Sequence, residues 1–319
     1  MIDMTRKIGV SLFVLFLLFF ATGCKQQETS SLTGKAFVGG TDGLQMTFLT
    51  GLPPADVFDI DSPFQIGVKV ENKGEFDITN AQDIKVSITG INPSDFKVTS
   101  SDLQKSSPDP LKGVSIDTSG NVVAGDYTTI EFPEMQYFTT VSGSVPFTVR
   151  ANVCYEYGTK TQGQLCIRKD LRGVSGEAGV CNPNREVPAE NSGAPVRITN
   201  IKQNVAGPNK VDFFFTITQS GSATDSLHKM GTACDTTLAN RDVVWVEVTD
   251  TGLGDLSCSG LKDGNGKTTG FVTLFNGVRE VRCSQTVTSP DDFEKVVNVN
   301  MKYAYKEFID TRVTLKHAS

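Results

Sequence analysis

Cysteine is the residue type with the clearest chemistry in this chain. Seven cysteines occur among 319 residues, and Cys24 stands apart from the other six. The other six are Cys154, Cys166, Cys181, Cys234, Cys258 and Cys283. An even set in an exported chain is typical of a disulfide framework, whereas buried free thiols are the alternative in a reducing compartment.

Cys24 ends a segment of the kind that exports a protein. Arg6 and Lys7 precede an apolar run over residues 8–20, which has the length of a signal-peptide h-region and is short for a membrane span. Small residues follow, directly before Cys24. This pattern resembles a lipoprotein signal. The resemblance implies cleavage after residue 23, a lipid on Cys24 and a protein held at the cell surface or the outer face of the cytoplasmic membrane. An ordinary secretory signal and a retained membrane helix are the alternatives.

Spacing and alternation predict one disulfide within a hairpin. Cys154 and Cys166 are equidistant from Lys160, at the centre of a predicted turn over residues 158–163. Both cysteines alternate away from their apolar neighbours and so share the outer face. Opposed Cβ atoms in such a hairpin lie about 4.5–5.5 Å apart, close to disulfide reach. We therefore predict a bond between Cys154 and Cys166.

The remaining four cysteines are assigned by their surroundings. Cys258 and Cys283 are each in phase with apolar neighbours, which predicts a buried inter-strand pair. Cys181 and Cys234 are left, and a bond between them would fix the inter-domain segment to the second domain.

Few other residues offer chemistry. Asp56, Asp59 and Asp61 cluster before the first clear strand, where oxygen ligands would suit Ca²⁺, although a solvated loop is the simpler interpretation. His228 and His317 are the only histidines, and no C-x-x-C motif occurs. Neither a zinc site nor a Ser-His-Asp or Cys-His centre is predicted, and no cofactor is expected.

Two aromatic residues lie opposite the main apolar stripe of their strands. They are Phe214 and Trp245. Exposed aromatic side chains serve carbohydrate or protein contacts, but most large aromatic side chains are substantially buried. We therefore favour packing against neighbouring structure over a binding face.

The elements that must position these residues are short strands. Apolar residues alternate with polar ones throughout, which predicts antiparallel sheets. The alternating apolar pattern of Val145 to Ile167 recurs near the C-terminus. Both copies carry Tyr-x-Tyr before the predicted turn, beginning at Tyr155 and Tyr303. Two similar closing hairpins predict two immunoglobulin-like β-sandwiches in tandem, over residues 44–169 and 194–319. A breaker-rich linker over 170–193 would join them, and a polar tether over 24–43 would precede them.

Part of the first predicted sandwich resembles a known family. Residues 68–74 and 84–88 are similar to the B and C strands of CARDB-like immunoglobulin-type domains. Those domains are extracellular modules associated with cell adhesion, and the resemblance implies the same fold and setting for this region.

The net charge of the chain limits the classes of function that it can have. A net charge of −6 and a pI near 5.1 argue against a general nucleic-acid surface. We expect a non-enzymatic adhesion, binding or scaffold module attached to the membrane through its lipid. The alternative is an accessory subunit that binds a polysaccharide or an envelope protein. A hydrolase is the third class and would need two carboxylates to converge from separate loops.

Overall fold

Alternating apolar residues give this chain an all-β structure. The computed structural model describes residues 35–60, 62–173, 179–222 and 224–318. The predicted signal segment and Cys24 lie outside the described residues. Nineteen strands and three short 3-10 helices occur in the described ranges. The predicted all-β class, with antiparallel sheets packed as sandwiches, is confirmed.

Most of the strands are short, but two of them have 24 residues each. In chain order the strands are β1 (Leu44–Phe48), β2 (Asp56–Phe58), β3 (Gly67–Asn72), β4 (Ile84–Thr89), β5 (Gln104–Ser106), β6 (Ser115–Ile116), β7 (Val122–Val123), β8 (Tyr127–Glu131), β9 (Ser144–Ile167), β10 (Arg185–Pro188), β11 (Glu190–Asn191), β12 (Val196–Gly207), β13 (Lys210–Gln219), β14 (Ser226–His228), β15 (Val243–Val248), β16 (Leu256–Cys258), β17 (Thr269–Thr273), β18 (Val278–Thr286) and β19 (Phe293–Lys316). The 3-10 helices are Ala81–Asp83, Pro93–Phe96 and Leu238–Asn240.

The two long strands form the middle of the molecule. β9 and β19 pair antiparallel over their whole length, from Ser144 opposite Lys316 to Ile167 opposite Phe293. They belong to a nine-stranded central sheet with the main order β17-β15-β19-β9-β4-β5. Strand β11 also pairs with β9, and β14 and β2 pair with β19. The other sheets are β1-β3-β8, β10-β12-β13-β18-β16 and the two-stranded β6-β7.

The turn predicted over residues 158–163 is wrong, because these residues continue β9. Gly158 and Gly163 instead allow neighbouring side chains to pack closely against the strand. A Cβ on Gly158 would lie 2.5 Å from a ring carbon of Phe76, and a Cβ on Gly163 would overlap the end of the Ile201 side chain. The second predicted hairpin is also wrong, since β19 continues through residues 306–308.

The repeated Tyr-x-Tyr pattern has a different origin from two hairpins. Tyr155 lies opposite Tyr305 and Tyr157 opposite Tyr303, so the two copies are neighbours in one sheet. All four side chains are almost fully buried and their rings contact one another. The sequence similarity therefore reflects two paired strands that bury the same inner face.

Two smaller sheets cover that inner face. On the β1-β3-β8 side, the Tyr157 hydroxyl donates to Asn72 Oδ1 at 2.8 Å. On the five-stranded side, Thr159 Oγ1 donates to the Val196 carbonyl at 2.5 Å. Buried apolar side chains from both sides form one continuous cluster that reaches from Leu44 to Leu315.

The predicted domains over 44–169 and 194–319 thus share one central sheet. The described residues all fall in one compact unit, which the predicted boundary does not divide. The predicted linker over 170–193 contains β10 and β11, which pair with β12 and β9. The linker prediction fails there because the polar, Pro-containing sequence of 185–191 forms edge strands, a position where Pro is tolerated.

The predicted flexible tether over 24–43 ends sooner than expected. Residues 35–43 are its described part, and the amides of Val38 and Gly39 donate to the Glu75 carboxylate at 2.9 and 2.7 Å. The amide of Gly193 donates to the same carboxylate at 2.6 Å. Glu75 therefore ties two irregular segments to the fold.

A short turn of 3-10 helix interrupts the strands in the first half. Phe96 ends the 3-10 helix Pro93–Phe96. Its ring packs against Phe64 and Tyr137, with centroids 5.9 and 5.3 Å away. The Pro-Ser-Asp sequence before Phe96 favours this tight turn over an extended strand.

Candidate functional site

The six described cysteines form three disulfides, and their pairing corrects two predictions. The bonds are Cys154–Cys234, Cys166–Cys181 and Cys258–Cys283. The predicted bond between Cys258 and Cys283 is confirmed, and these residues are register partners on β16 and β18.

The predicted Cys154–Cys166 and Cys181–Cys234 bonds are wrong. Cys154 and Cys166 lie on one straight strand, and twelve residues of extended chain place them roughly 40 Å apart. Cys154 instead bonds to Cys234, and Cys166 bonds to Cys181.

The outer face of the central sheet carries a polar row at Cys154. Lys85 of β4 lies opposite Cys154 on one side, and Lys306 of β19 lies opposite it on the other. Ser106 of β5 and Ser226 of β14 extend the row to both edges. The two lysine backbones are two strand spacings apart, roughly 10 Å.

A loop fastened to the sheet forms a wall beside this row. It runs over residues 229–242, and the Cys154–Cys234 bond attaches it to the middle of β9. The Gly231 amide donates to Glu156 Oε1 at 2.8 Å, which is a second attachment. Ala233 and Cys234 both have left-handed backbone angles, with φ of 49° and 56°, so the loop turns sharply at the bond.

The loop and the sheet enclose a surface cavity of about 500 Å³, which we call the lysine groove. Among the described residues, its lining contains three lysines and no carboxylate. The lining residues are Lys85, Val86, Ser87, Gln104, Lys105, Ser106, Asn152, Cys154, Ala233, Cys234 and Lys306. This composition suits a ligand that carries negative charge and hydrogen-bonding groups.

A second cavity, of about 350 Å³, lies on the inner side of β19 and is acidic. Asp42, Asp225 and Glu307 line it together with Tyr305. The Tyr155 hydroxyl donates to Glu307, and the Tyr305 hydroxyl donates to Asp225 Oδ2 at 3.3 Å. The fold thus brings together three carboxylates that are far apart in the sequence.

Burial changes the proton affinity of two of these carboxylates. It raises the pKa of Glu307 to about 7, and the negative charges of Asp225 and Asp42 add to the increase. Burial also raises the pKa of Asp225. The Tyr155 hydroxyl has a pKa well above its usual value, mainly because of burial and then because of Glu307. It therefore stays a hydrogen-bond donor.

The aspartates considered for Ca²⁺ serve the C-terminal strand instead. Asp56 pairs with Lys316 at 2.6 Å. Asp59 is fully buried and accepts from His317, Ala318 and Val141, which together lower its pKa to about 2. Asp61 lies outside the described residues. Among the described residues, no group of three or more metal-ligating side chains is arranged to hold a metal ion.

The other singled-out residues have structural surroundings. His228 is buried, and its ring nitrogens bond to the Asp235 carbonyl and Ser226 Oγ, each at 2.9 Å. Trp245 packs edge-to-face on Phe271, with centroids 4.8 Å apart. Phe214 lies beside the Arg282 guanidinium, 5.7 Å from it. These contacts agree with the packing interpretation of both aromatic residues.

The groove residues were not found by the sequence analysis. Alternation alone places Lys85 and Lys306 on the outer faces of their strands. It does not show that β4 and β19 both flank β9, because strand neighbours far apart in sequence leave no periodic signal. The positions of Glu307 and Asp225 were missed for the same reason.

Within the described ranges, none of the helices has the length and apolar character that a membrane crossing requires. Three disulfides indicate an oxidising compartment outside the cytosol.

Comparisons with known proteins give remote likenesses of structure. Neither a protein-family model nor a curated protein matches the sequence. Envelope protein VP37 of White Spot Syndrome Virus is 7% identical, with a TM-score of 0.25, and the match covers 47% of this chain and 97% of that one.

Two further solved structures have similarly low sequence identities and low TM-scores. Escherichia coli alpha-2-macroglobulin is 8% identical, with a TM-score of 0.16, over 88% of this chain and 23% of that one. The B domain of a biofilm associated protein is 10% identical, with a TM-score of 0.11, over 83% of this chain and 74% of that one. Identities and scores of this size carry no functional argument.

Proposed function

We propose that this protein is an exported, lipid-anchored surface protein that acts as a non-enzymatic binding module. The lysine groove is the observation that carries the proposal: it is an open cavity on a rigid sheet, and a disulfide holds its wall in place. Binding residues that lie on a fixed scaffold lose little conformational freedom when they take a ligand. The resemblance of residues 68–74 and 84–88 to CARDB-like domains supports the same extracellular role.

The membrane attachment is proposed from the signal-like segment that ends at Cys24. If Cys24 carries the lipid, wild-type protein will partition into the detergent phase, and Cys24→Ser will remain unprocessed or become soluble. Cys283 is a poor control because it is bonded, so Ser30→Ala serves as the neighbouring substitution that leaves the anchor intact. Identical fractionation of wild type and Cys24→Ser as soluble protein would show that no lipid is attached.

The binding role is tested with the full chain in detergent micelles. We expect saturable binding to envelope material from the producing cells, with the bound material recovered chemically unchanged. Protease treatment and glycan digestion of the captured material then separate a protein partner from a polysaccharide. Steady breakdown of an envelope polymer, abolished by Glu307→Gln, would instead establish the hydrolase class and overturn the proposal.

A further inference from the structure

The lysines of the groove are available to an outside ligand. Lys85 and Lys306 flank Cys154 on the outer face, and neither forms an ion pair with a carboxylate in the described part of the chain. Lys105 also lines the edge of the groove, but it lies opposite the buried Val86, and its Nζ donates to the Glu131 carbonyl of β8 at 2.7 Å, away from the groove. Two positive charges, those of Lys85 and Lys306, thus face one cavity.

The carboxylates on this face have partners other than an ion pair with the groove lysines. Glu156 is the next outward residue on β9; its Oε1 accepts from the Gly231 amide, and burial raises its pKa although the nearby charge of Lys85 opposes this. Asp310 lies further along the outer face and pairs with Arg150 through two hydrogen bonds of 2.7 and 2.8 Å. Neither carboxylate forms an ion pair with Lys85 or Lys306, so both ammonium groups can pair with an anionic ligand.

The rest of the lining offers hydrogen bonds rather than apolar contact. Ser87 and Ser106 carry hydroxyls, and Gln104 and Asn152 carry amides. Asn152 Nδ2 donates to Thr89 Oγ1 at 3.0 Å, which orients its amide. Hydroxyl and amide groups exchange hydrogen bonds readily with the hydroxyls of a sugar chain.

We propose that the lysine groove binds an acidic polysaccharide, a chain of sugars that carries carboxylate or sulfate groups. The lysines would meet the anionic groups, and the serine and amide side chains would meet the sugar hydroxyls. This inference deepens the proposed function and rests on it, because it assigns a ligand class to the same groove.

Two other ligand classes fit the groove less well. A neutral glycan is usually held by stacking on an exposed aromatic ring, but Phe308, the neighbouring aromatic on this face, is covered by the Arg150 guanidinium at 3.6 Å. A nucleic acid needs a long basic surface, whereas this chain has a net charge of −6. Two lysines whose backbones lie roughly 10 Å apart suit a chain with spaced charges.

The test compares two double substitutions of equal charge. In Lys85→Gln/Lys306→Gln the groove loses two charges, while Lys202→Gln/Lys210→Gln removes two exposed lysines from β12 and β13. Full-length proteins in detergent are titrated with polygalacturonate and dextran sulfate, with neutral dextran and duplex DNA as comparisons. Circular dichroism and melting temperature verify that both variants fold.

We expect wild type and the control variant to bind at least one acidic polysaccharide in a salt-dependent manner. The groove variant should bind roughly tenfold more weakly, since two charge-assisted contacts are lost. Tighter binding of polygalacturonate would indicate recognition of carboxylates, and tighter binding of dextran sulfate would indicate recognition of sulfates.

Several outcomes would overturn the inference. They are no binding of wild type to either acidic chain, equal weakening in both variants, and duplex DNA bound as tightly as the polysaccharides. If the groove variant binds envelope material as wild type does, the binding role stands and the ligand assignment fails. If wild type itself binds no envelope material, the proposed function fails, whatever the probes show.

Discussion

The fold changes the proton affinity of the Glu307 carboxyl group. This group lies on the inner face of β19, beside Tyr155, Asp225 and Asp42. Burial favours the neutral form, and the other two carboxylates add to this effect, so the pKa rises to about 7. A protonated Glu307 is therefore part of the folded protein at mildly acidic pH.

This residue predicts a stability that depends on pH. Between the unfolded pKa near 4.5 and the folded value of about 7, the folded state holds the extra proton, so the free energy of unfolding falls as pH rises. The decrease attributable to Glu307 is at most about 3 kcal/mol. In Glu307→Gln the side chain is always neutral, and the decrease between pH 5 and pH 8 should be smaller by that amount.

Urea unfolding at pH 5 and pH 8 measures both proteins. Asp225 also has a raised pKa, so some decrease with pH should remain in the variant. Matching pH profiles for wild type and Glu307→Gln would contradict the buried, protonated state of Glu307.

Gly74 marks a place where three segments meet. A Cβ there would overlap the Tyr157 hydroxyl and the Asp42 carbonyl, and would lie 2.5 Å from the Gly193 carbonyl. Because two of these atoms belong to the backbone, the contact cannot be relieved by a side-chain rotation. Gly74→Ala should therefore destabilise the protein by about 1–3 kcal/mol.

Gly207→Ala is the matched control, since its Cβ would meet only Lys210 Cβ at 3.6 Å. The two variants are compared by melting temperature and by urea unfolding. A Gly74→Ala protein as stable as the control would contradict the close packing of the N-terminal segment against residue 193.

At the scale of elements, the disulfides Cys154–Cys234 and Cys166–Cys181 should contribute differently to the free energy of unfolding. Cys154–Cys234 closes a loop with a sequence separation of 80, and Cys166–Cys181 one of 15. Loop-closure entropy predicts a loss of about 4–5 kcal/mol when the first is replaced by alanines and about 3 kcal/mol for the second. Denaturant unfolding of the two double-alanine variants measures the difference, and a larger loss from the shorter loop would disagree with these pairings.

The strands were largely predictable from sequence, and their partners were not. Val149, Ala151 and Val153 show the period of two that identifies the core of β9. Residues 158–163 show glycine and polar residues, which suit a turn equally well. These residues pair continuously with β19, and Phe76 and Ile201 pack closely against the two glycines, which a single sequence does not show.

The candidate site was hidden for a related reason. Cys154 was predicted to lie on the outer face, and the structure agrees. Its neighbours Lys85 and Lys306 come from distant parts of the chain. Cross-strand neighbours of this kind depend on the sheet order, which alternation does not specify.

At the scale of the whole molecule, β9 and β19 join two predicted domains into one unit. Their outer face carries the lysine groove and their inner face carries the tyrosines and the acidic cavity. Val38 and Gly39 dock beside Glu75. The proposed binding surface therefore belongs to the shared sheet rather than to either half.

A peptide map of the purified, non-reduced protein tests this architecture most directly. Free thiols are blocked before digestion, and linked peptides are identified by mass spectrometry with and without reduction. The continuous central sheet in an oxidising compartment predicts Cys154 linked to Cys234, Cys166 to Cys181 and Cys258 to Cys283. A Cys154–Cys166 link would require a hairpin in place of the straight strand β9, and six free thiols would contradict export; either result would contradict the account.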